Sequence, residues 1–312
     1  MPAPRPFRFG LSLAGFDHGH DWAETARRIE DLGYATMLVP DHFGDQLAPL
    51  PAVTAAAAAT TALRVGTFVL DNDYRHPVLL AKEAATIDLL SGGRFELGLG
   101  AGWRREEYDA AGIAFDPGKV RLARLEESVE VLRGLWSGRA FSFEGHHYQV
   151  LDLQGRPLPA QPGGPPLFLG GGGPRLLALA GRTADIVGLA PKARPDGTLD
   201  PADISPSAIG AKLDAVRAAA GERFSEIELN VLTVVVEVGA HVDQDRRVEE
   251  LAARWDLEPE AVRESPHVVL GSPEQVVDAL LAQRERFGIS YVVVPEPALN
   301  AFAPVIARVA GG

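Results

Sequence analysis

"FRFGLSLAGFDHGHDWAETARRIEDLGYATMLVP" (Phe7–Pro40) reads as strand, helix, strand. Its ends, "FRFGLSL" (7–13) and "TMLVP" (36–40), are short apolar runs, mostly without polar residues at alternate positions. Strands covered on both faces have this composition, as parallel strands packed under helices do. Between them, Asp21 with Glu24 three residues on predicts a capping box, and Gly33 predicts the helix stop. Trp22, Ala26, Ile29 and Leu32 share one face at helical spacing. The stretch is one βαβ unit.

The same rhythm continues along the chain. Strands are expected at 63–70, 94–100, 166–171, 185–190, 228–237 and 291–295. "SPEQVVDALLAQRERFGIS" (272–290) repeats the helix punctuation, with Ser272 as cap, Pro273 at the first helical position and Gly288 as stop. Eight strands alternating with helices predict a (β/α)8 TIM barrel, with an open doubly wound sheet as the rival, because strand count does not show closure. One domain over 1–312 is expected, with insertions after the fourth and sixth strands. The Pro/Gly-rich tracts "LDLQGRPLPAQPGGPP" (151–166) and "PKARPDGTLDPADISP" (191–206) are expected as lid or substrate loops at the C-terminal face of the strands.

The chain of 312 residues carries a formal net charge of −12, which opposes nucleic-acid binding and docking on anionic membranes. It has no cysteine, so disulfides, thiolate metal sites and cysteine nucleophiles are excluded. No run reaches the length of a membrane span, and no secretory signal is legible. A soluble cytoplasmic protein is the expectation.

Polar clusters follow the apolar runs. "VPDHF" (39–43) ends the second strand in Asp41 and His42, and "LDNDYRHP" (70–77) follows the third with Asp71 and Asp73. "GLGAGWRREEY" (98–108) closes the fourth, and "LGGGGP" (169–174) closes the fifth. In a barrel these ends converge on one mouth. A glycine-rich turn into a helix N-terminus offers backbone N–H groups to a phosphate, although each loop also reads as a tight strand–helix turn. Neither matches a dinucleotide-binding fingerprint. His42 reads either as a turn residue or as a group that moves a proton near neutrality. The spacings typical of metal sites are absent, so no metal is expected.

Together, "VPDHF", "RHP" (75–77), "ATIDLLSGGRFELGLGAGWRREEY" (85–108), "PPLFLGGGG" (165–173), "ADIVG" (184–188) and "GSPEQVVDAL" (271–280) resemble the bacterial luciferase-like oxidoreductases, and most closely their deazaflavin (coenzyme F420)-dependent branch. The resemblance implies a barrel whose mouth holds the tricyclic ring of F420, or alternatively FMN. His42 would be catalytic beside the ring, next to Asp41. A cis peptide between Phe68 and Val69 would lie behind the ring, ahead of Asp71. Gly100, Ala101, Gly102 and Trp103 would flank the ring or ribityl chain, with Gly170, Gly171, Gly172 and Gly173 nearer the phosphate. Arg104, Arg105, Arg175, Lys192 and Arg194 are candidates for the anionic tail.

One departure stands out. Sugar-phosphate and alcohol dehydrogenases of that branch place a glutamate where this chain has Trp103, and Glu106 and Glu107 read as too remote to replace it. Trp103 is therefore expected as an apolar pocket wall, with Phe115, Phe141 and Phe143 as further aromatics of pocket or core. The resemblance implies hydride transfer between F420 and a small organic substrate. The alternatives are an FMN-dependent monooxygenase fed by a separate reductase, and a non-catalytic cofactor-binding relative. A homodimer is expected.

Overall fold

The structure is a computed structural model and describes residues 5–13, 21–194 and 198–310. The strands in chain order are β1 (Arg8–Ser12), β2 (Thr36–Val39), β3 (Arg64–Thr67), β4 (Leu70–Asp71), β5 (Phe95–Gly100), β6 (Ala140–Glu144), β7 (Gln149–Gln154), β8 (Leu167–Gly171), β9 (Ile186–Leu189), β10 (Glu228–Leu232), β11 (Val235–Val238), β12 (Val268–Gly271) and β13 (Ile289–Pro295). The helices are α1 (Trp22–Asp31), α2 (Pro49–Ala59), α3 (Pro77–Leu90), α4 (Arg105–Ala111), α5 (Gly118–Trp136), α6 (Pro174–Thr183), α7 (Pro206–Ala220), α8 (Gln244–Trp255), α9 (Pro259–Arg263), α10 (Pro273–Phe287) and α11 (Leu299–Ala310).

β1, β2, β3, β5, β8, β9, β10 and β13 pair in parallel, and the β3–β5 pairing closes the ring. The sheet is therefore the barrel and not the open alternative. β2 and β5 are buried along their whole lengths, the burial expected of strands sandwiched between interior and helices. At α1 the Asp21 carboxylate accepts from the N–H groups of Ala23 and Glu24 at 2.8 and 3.2 Å, and Gly33 follows with φ +83°. At α10 the box closes on both sides, between Ser272 and Gln275.

The interior is layered. At the strand starts Glu96 is fully buried and accepts from Arg8 at 2.6 Å and Arg64 at 2.5 Å, while Arg8 also binds Glu228 at 2.6 Å. Burial pushes the Glu96 carboxyl upward, but the two guanidiniums outweigh it and hold Glu96 below the usual carboxylate range. Above this layer Leu38, Phe168, Ile186, Tyr291 and Val293 pack together, with Phe68 against them. The N-terminal end of the barrel is thus plugged, and any ligand enters from the C-terminal end.

Several expectations need correction. The tract 151–166 lies at the N-terminal end, away from the mouth: Gln161 donates to Asp88 at 2.6 Å and to the Phe95 carbonyl, at the start of β5, at 3.0 Å. It follows α5, and a helix returning antiparallel to its strand delivers the chain to the opposite end of the barrel. The tract's first four residues belong to β7, which forms an antiparallel hairpin with β6 that carries Phe141 and Phe143 outside the barrel. The expected strand 228–237 is split. β10 stays in the barrel, while β11 pairs with β12 in a separate sheet. Residues 233–271 are thus a further insertion after the seventh barrel strand, with an apolar cluster of Val248, Leu251, Val262, Val268 and Leu270. The tract 191–206 does follow β9 at the mouth end, with residues 195–197 outside the described set.

Candidate active site

The third barrel strand is interrupted at the cis peptide Phe68–Val69, at the position expected, and resumes as β4. β4 pairs with β5 so that Asp71 stands opposite Gly100. This break sets Val69 between the two glycine loops. A Cβ on Gly100 would sit 2.8 Å from Val69 Cγ2, and one on Gly170 would sit 3.9 Å from Val69 Cγ1. The ring of Phe68 meets Phe168 edge-on at 5.3 Å. The segment 68–71, Gly100–Trp103 and Gly170–Gly173 therefore share one end of the barrel with the Asp41-His42 corner.

The glycines divide by function. Gly98 is structural, since a Cβ there would lie 2.0 Å from the Thr67 carbonyl oxygen. Gly102 has φ +73°, and its Cβ would lie 1.9 Å from Tyr108 Oη. Gly171 and Gly172 pack against Leu176 and the Ala190–Lys192 backbone, whereas Gly173, the N-cap of α6, has nothing within 4 Å of a Cβ. The first turn of α6 thus opens on free space, with backbone N–H groups that have no intrahelical acceptor. Lys192 lies beside Gly172, and its half-exposed ammonium is 3.4 Å from Asp203. Arg175 is exposed and makes no ion pair among the described residues. Arg105 and Arg194 are tied to Asp109 and Asp200 at the surface.

Asp41 and Asp71 turn out to brace the site. The Asp41 carboxylate is held by both Arg75 Nη atoms and accepts the Asp71 N–H at 3.1 Å. Asp71 accepts the Tyr108 hydroxyl at 2.7 Å and caps the Asp73 N–H at 3.0 Å. Both carboxylates are buried and engaged within the protein. Burial pushes the Asp71 carboxyl from 3.8 up to about 6, helped by Asp73 and Asp41 and opposed by its two hydrogen bonds. The folded protein therefore holds this proton more tightly than the unfolded chain. The Asp71 contribution to stability is full below the ordinary carboxylate value and is lost as pH rises through about 6. Raising pH from about 4 to about 7.5 should improve Asp71→Asn relative to wild type by about 2–3 kcal/mol in urea unfolding. Parallel pH profiles for the two proteins would refute this.

His42 gathers partners that the sequence did not reveal. Its Nδ1 is 2.9 Å from Glu107 Oε2, and the other Glu107 oxygen accepts from Arg104 at 3.0 Å. The Arg104 guanidinium lies 4.7 Å over the Trp103 ring, and Trp103 meets the His42 ring edge-on at 5.9 Å. Four side chains thus close a cycle. Glu107 was expected to be too remote; α4, starting at Arg105, folds back over the end of β5 and carries Glu107 to His42 while Glu106 faces solvent. Trp103 is 39% exposed and lies between His42 and Arg104. Phe115 packs nearby on Tyr108 and Arg121, and Arg121 Nε donates to the Ala101 carbonyl at 3.0 Å.

The sequence model described as luciferase-like monooxygenase matches residues 6–257. The F420-dependent glucose-6-phosphate dehydrogenase of Amycolatopsis mediterranei is 35% identical over 173 residues, 53% of this chain and 51% of that one. The F420-dependent hydroxymycolic acid dehydrogenase of Mycobacterium tuberculosis is 32% identical over 198 residues, 59% of this chain and 53% of that one. The chain spans about half the length of the curated relatives it matches. Among solved structures, the coenzyme F420-dependent tetrahydromethanopterin reductase of Methanopyrus kandleri superposes with a TM-score of 0.78 at 19% identity, covering 98% of this chain and 99% of that one.

Proposed function

Because the chain belongs to the luciferase-like monooxygenase family, we propose that it is an F420-dependent oxidoreductase acting on a small organic substrate. The observation that carries this reading is the gathering of His42, the 68–71 segment and both glycine loops at the single open end of the barrel. When bound, coenzyme F420 supplies a carbon that accepts or gives a hydride; the protein supplies binding, orientation and a proton partner.

The residues present fit such a group. The Val69 side chain packs over Gly100, where a Cβ would collide with it, and makes an apolar floor, and Gly173 opens the α6 N-terminus to a phosphate. Lys192 and Arg175 supply positive charge beside that opening. His42 exchanges a proton at the substrate oxygen, Trp103 excludes water from one side, and Asp41 and Asp71 hold the loops that frame the ring through Arg75 and Tyr108. The choice of F420 over FMN is supported by the two dehydrogenase relatives, whose substrates, a sugar phosphate and a hydroxymycolic acid, both carry a hydroxyl-bearing carbon. An alcohol or its carbonyl counterpart is therefore the substrate class of this proposal.

The family description favours the second reading, an FMN-dependent monooxygenase served by a separate reductase. Titrating the purified protein with F420 and with FMN, following quenching of tryptophan fluorescence, separates the two. Saturation by F420 at micromolar concentration with no response to FMN is the expected result; the reverse would reject the F420 reading. A homodimer belongs to the same proposal: α3 leaves Leu79, Leu89 and Leu90 exposed, and α2 beside it shows alanines outward. So does a cytoplasmic location, and no helix among the described residues is long and apolar enough to cross a membrane.

A further inference from the structure

We propose that Glu107 is the positioning residue of this site: its carboxylate fixes neutral His42 as the Nδ1–H tautomer, so that Nε2 is the nitrogen that exchanges a proton with the substrate. The inference deepens the proposed function and rests on its assignment of His42 as the proton-exchanging group. Neutral imidazole carries one proton, and the nitrogen facing a carboxylate keeps it, because a carboxylate accepts and cannot donate. Glu107 Oε2 is 2.9 Å from Nδ1, at hydrogen-bond distance, and the pair is mostly buried, with 21% and 12% of the two side chains exposed. Arg104 holds the other Glu107 oxygen at 3.0 Å, and the Tyr74 hydroxyl also bonds the Glu107 carboxylate, so the carboxylate is fixed beside the ring.

Nε2 makes no hydrogen bond among the described residues and is not a buried orphan atom, so it has solvent access. The Trp103 ring, at 88° to the imidazole, limits rotation about the His42 side chain from the other side. A histidine held in one tautomer, with its plane fixed and one free nitrogen, is a preorganised acid–base group. The chain thus places a carboxylate behind the histidine, where position 103 carries tryptophan. Glu107 does not touch the reacting atoms in this arrangement; it acts through His42.

The experiment is nitrogen-15 NMR of the full chain labelled at histidine, with the His42 signals identified by their loss in His42→Asn. The expected spectrum of neutral His42 has a proton-bearing Nδ1 and an unprotonated Nε2. Glu107→Ala should move the proton toward Nε2, and Glu107→Gln, whose amide carbonyl still accepts, should keep it on Nδ1. A wild-type proton on Nε2, or an Ala variant with an unchanged tautomer, overturns the proposal. Loss of fold in Glu107→Ala leaves the wild-type and Gln spectra to decide. A structural tie between α4 and the end of β2 would lower thermal stability without moving the tautomer. The spectrum is taken without cofactor, and F420 titration of the same sample is read separately. F420 binding with the proton on Nε2 rejects the role of Glu107 alone, whereas the Nδ1–H tautomer without F420 binding rejects the cofactor assignment alone.

Discussion

Under the proposed function, His42→Gln should lower turnover on an alcohol substrate by about 10²–10⁴-fold, while F420 affinity stays nearly unchanged. Glutamine keeps the approximate reach of imidazole and has a carbonyl and an amide for hydrogen bonding, but it cannot carry a proton back and forth near neutrality. Removal of the hydroxyl proton must accompany departure of the hydride from the carbon that bears it, and His42 stands between Trp103 and Glu107 at the strand ends. Its side chain is 21% exposed, so part of the ring is open to a ligand entering from the mouth. The measurement is the rate of loss of F420 absorbance at saturating substrate, alongside the F420 dissociation constant from fluorescence. A variant with wild-type turnover would show that the proton leaves by another route. A variant that no longer binds F420 would show that His42 holds the ring instead of moving the proton.

Gly102→Ala should destabilise the fold by about 3–5 kcal/mol, because two unfavourable effects fall on one residue. The backbone there has φ +73°, the left-handed region in which a Cβ crowds the following carbonyl. The added methyl would also stand 1.9 Å from Tyr108 Oη and 2.5 Å from an Asp71 oxygen, neither of which has room to withdraw. Tyr108 is wholly buried, and its hydroxyl is bonded to Asp71 at 2.7 Å and Asp73 at 3.2 Å; Asp73 in turn pairs with Arg124 at 2.8 Å. Moving the tyrosine would strand buried carboxylates. Urea midpoints of Gly102→Ala, Tyr108→Phe and the double variant form a cycle. The alanine should be better tolerated once the hydroxyl is gone. A penalty below about 1 kcal/mol in the wild-type background would show that the loop relaxes freely and frames nothing.

Much of this architecture was legible before any coordinates. The caps at Asp21 and Ser272, the stops at Gly33 and Gly288 and the short Val/Leu-rich runs locate two of the helices and the barrel strands to within a residue or two, apart from the split runs 63–70 and 228–237. These signals are local: a cap needs a hydrogen bond across three residues, and a buried strand needs only its own composition. The residues gathered at the mouth were legible for the same reason, since a barrel sends the end of every strand to one face. The hairpin 140–154 was not, because two short strands with exposed faces, such as that bearing Leu151 at 89%, look like loop to any test of burial. The third insertion was hidden because "ELNVLTVVVE" is one apolar run that the fold divides between two sheets at Thr233, whose hydroxyl and N–H bond the Val293 carbonyl.

By itself, then, the sequence determined eight short buried strands, the helices between them and the polar loops at the strand ends, because those follow from spacing, caps and polarity along the chain, while closure of the ring waited on the β3–β5 pairing. The tertiary structure alone decided which side chains meet there. It turned Asp41 and Asp71 inward onto Arg75 and Tyr108, and it brought Glu107 to His42 across 65 positions of sequence. Such partnerships depend on the pitch and direction of a short helix packed over a strand end, a property of three-dimensional packing that no local pattern of residues encodes.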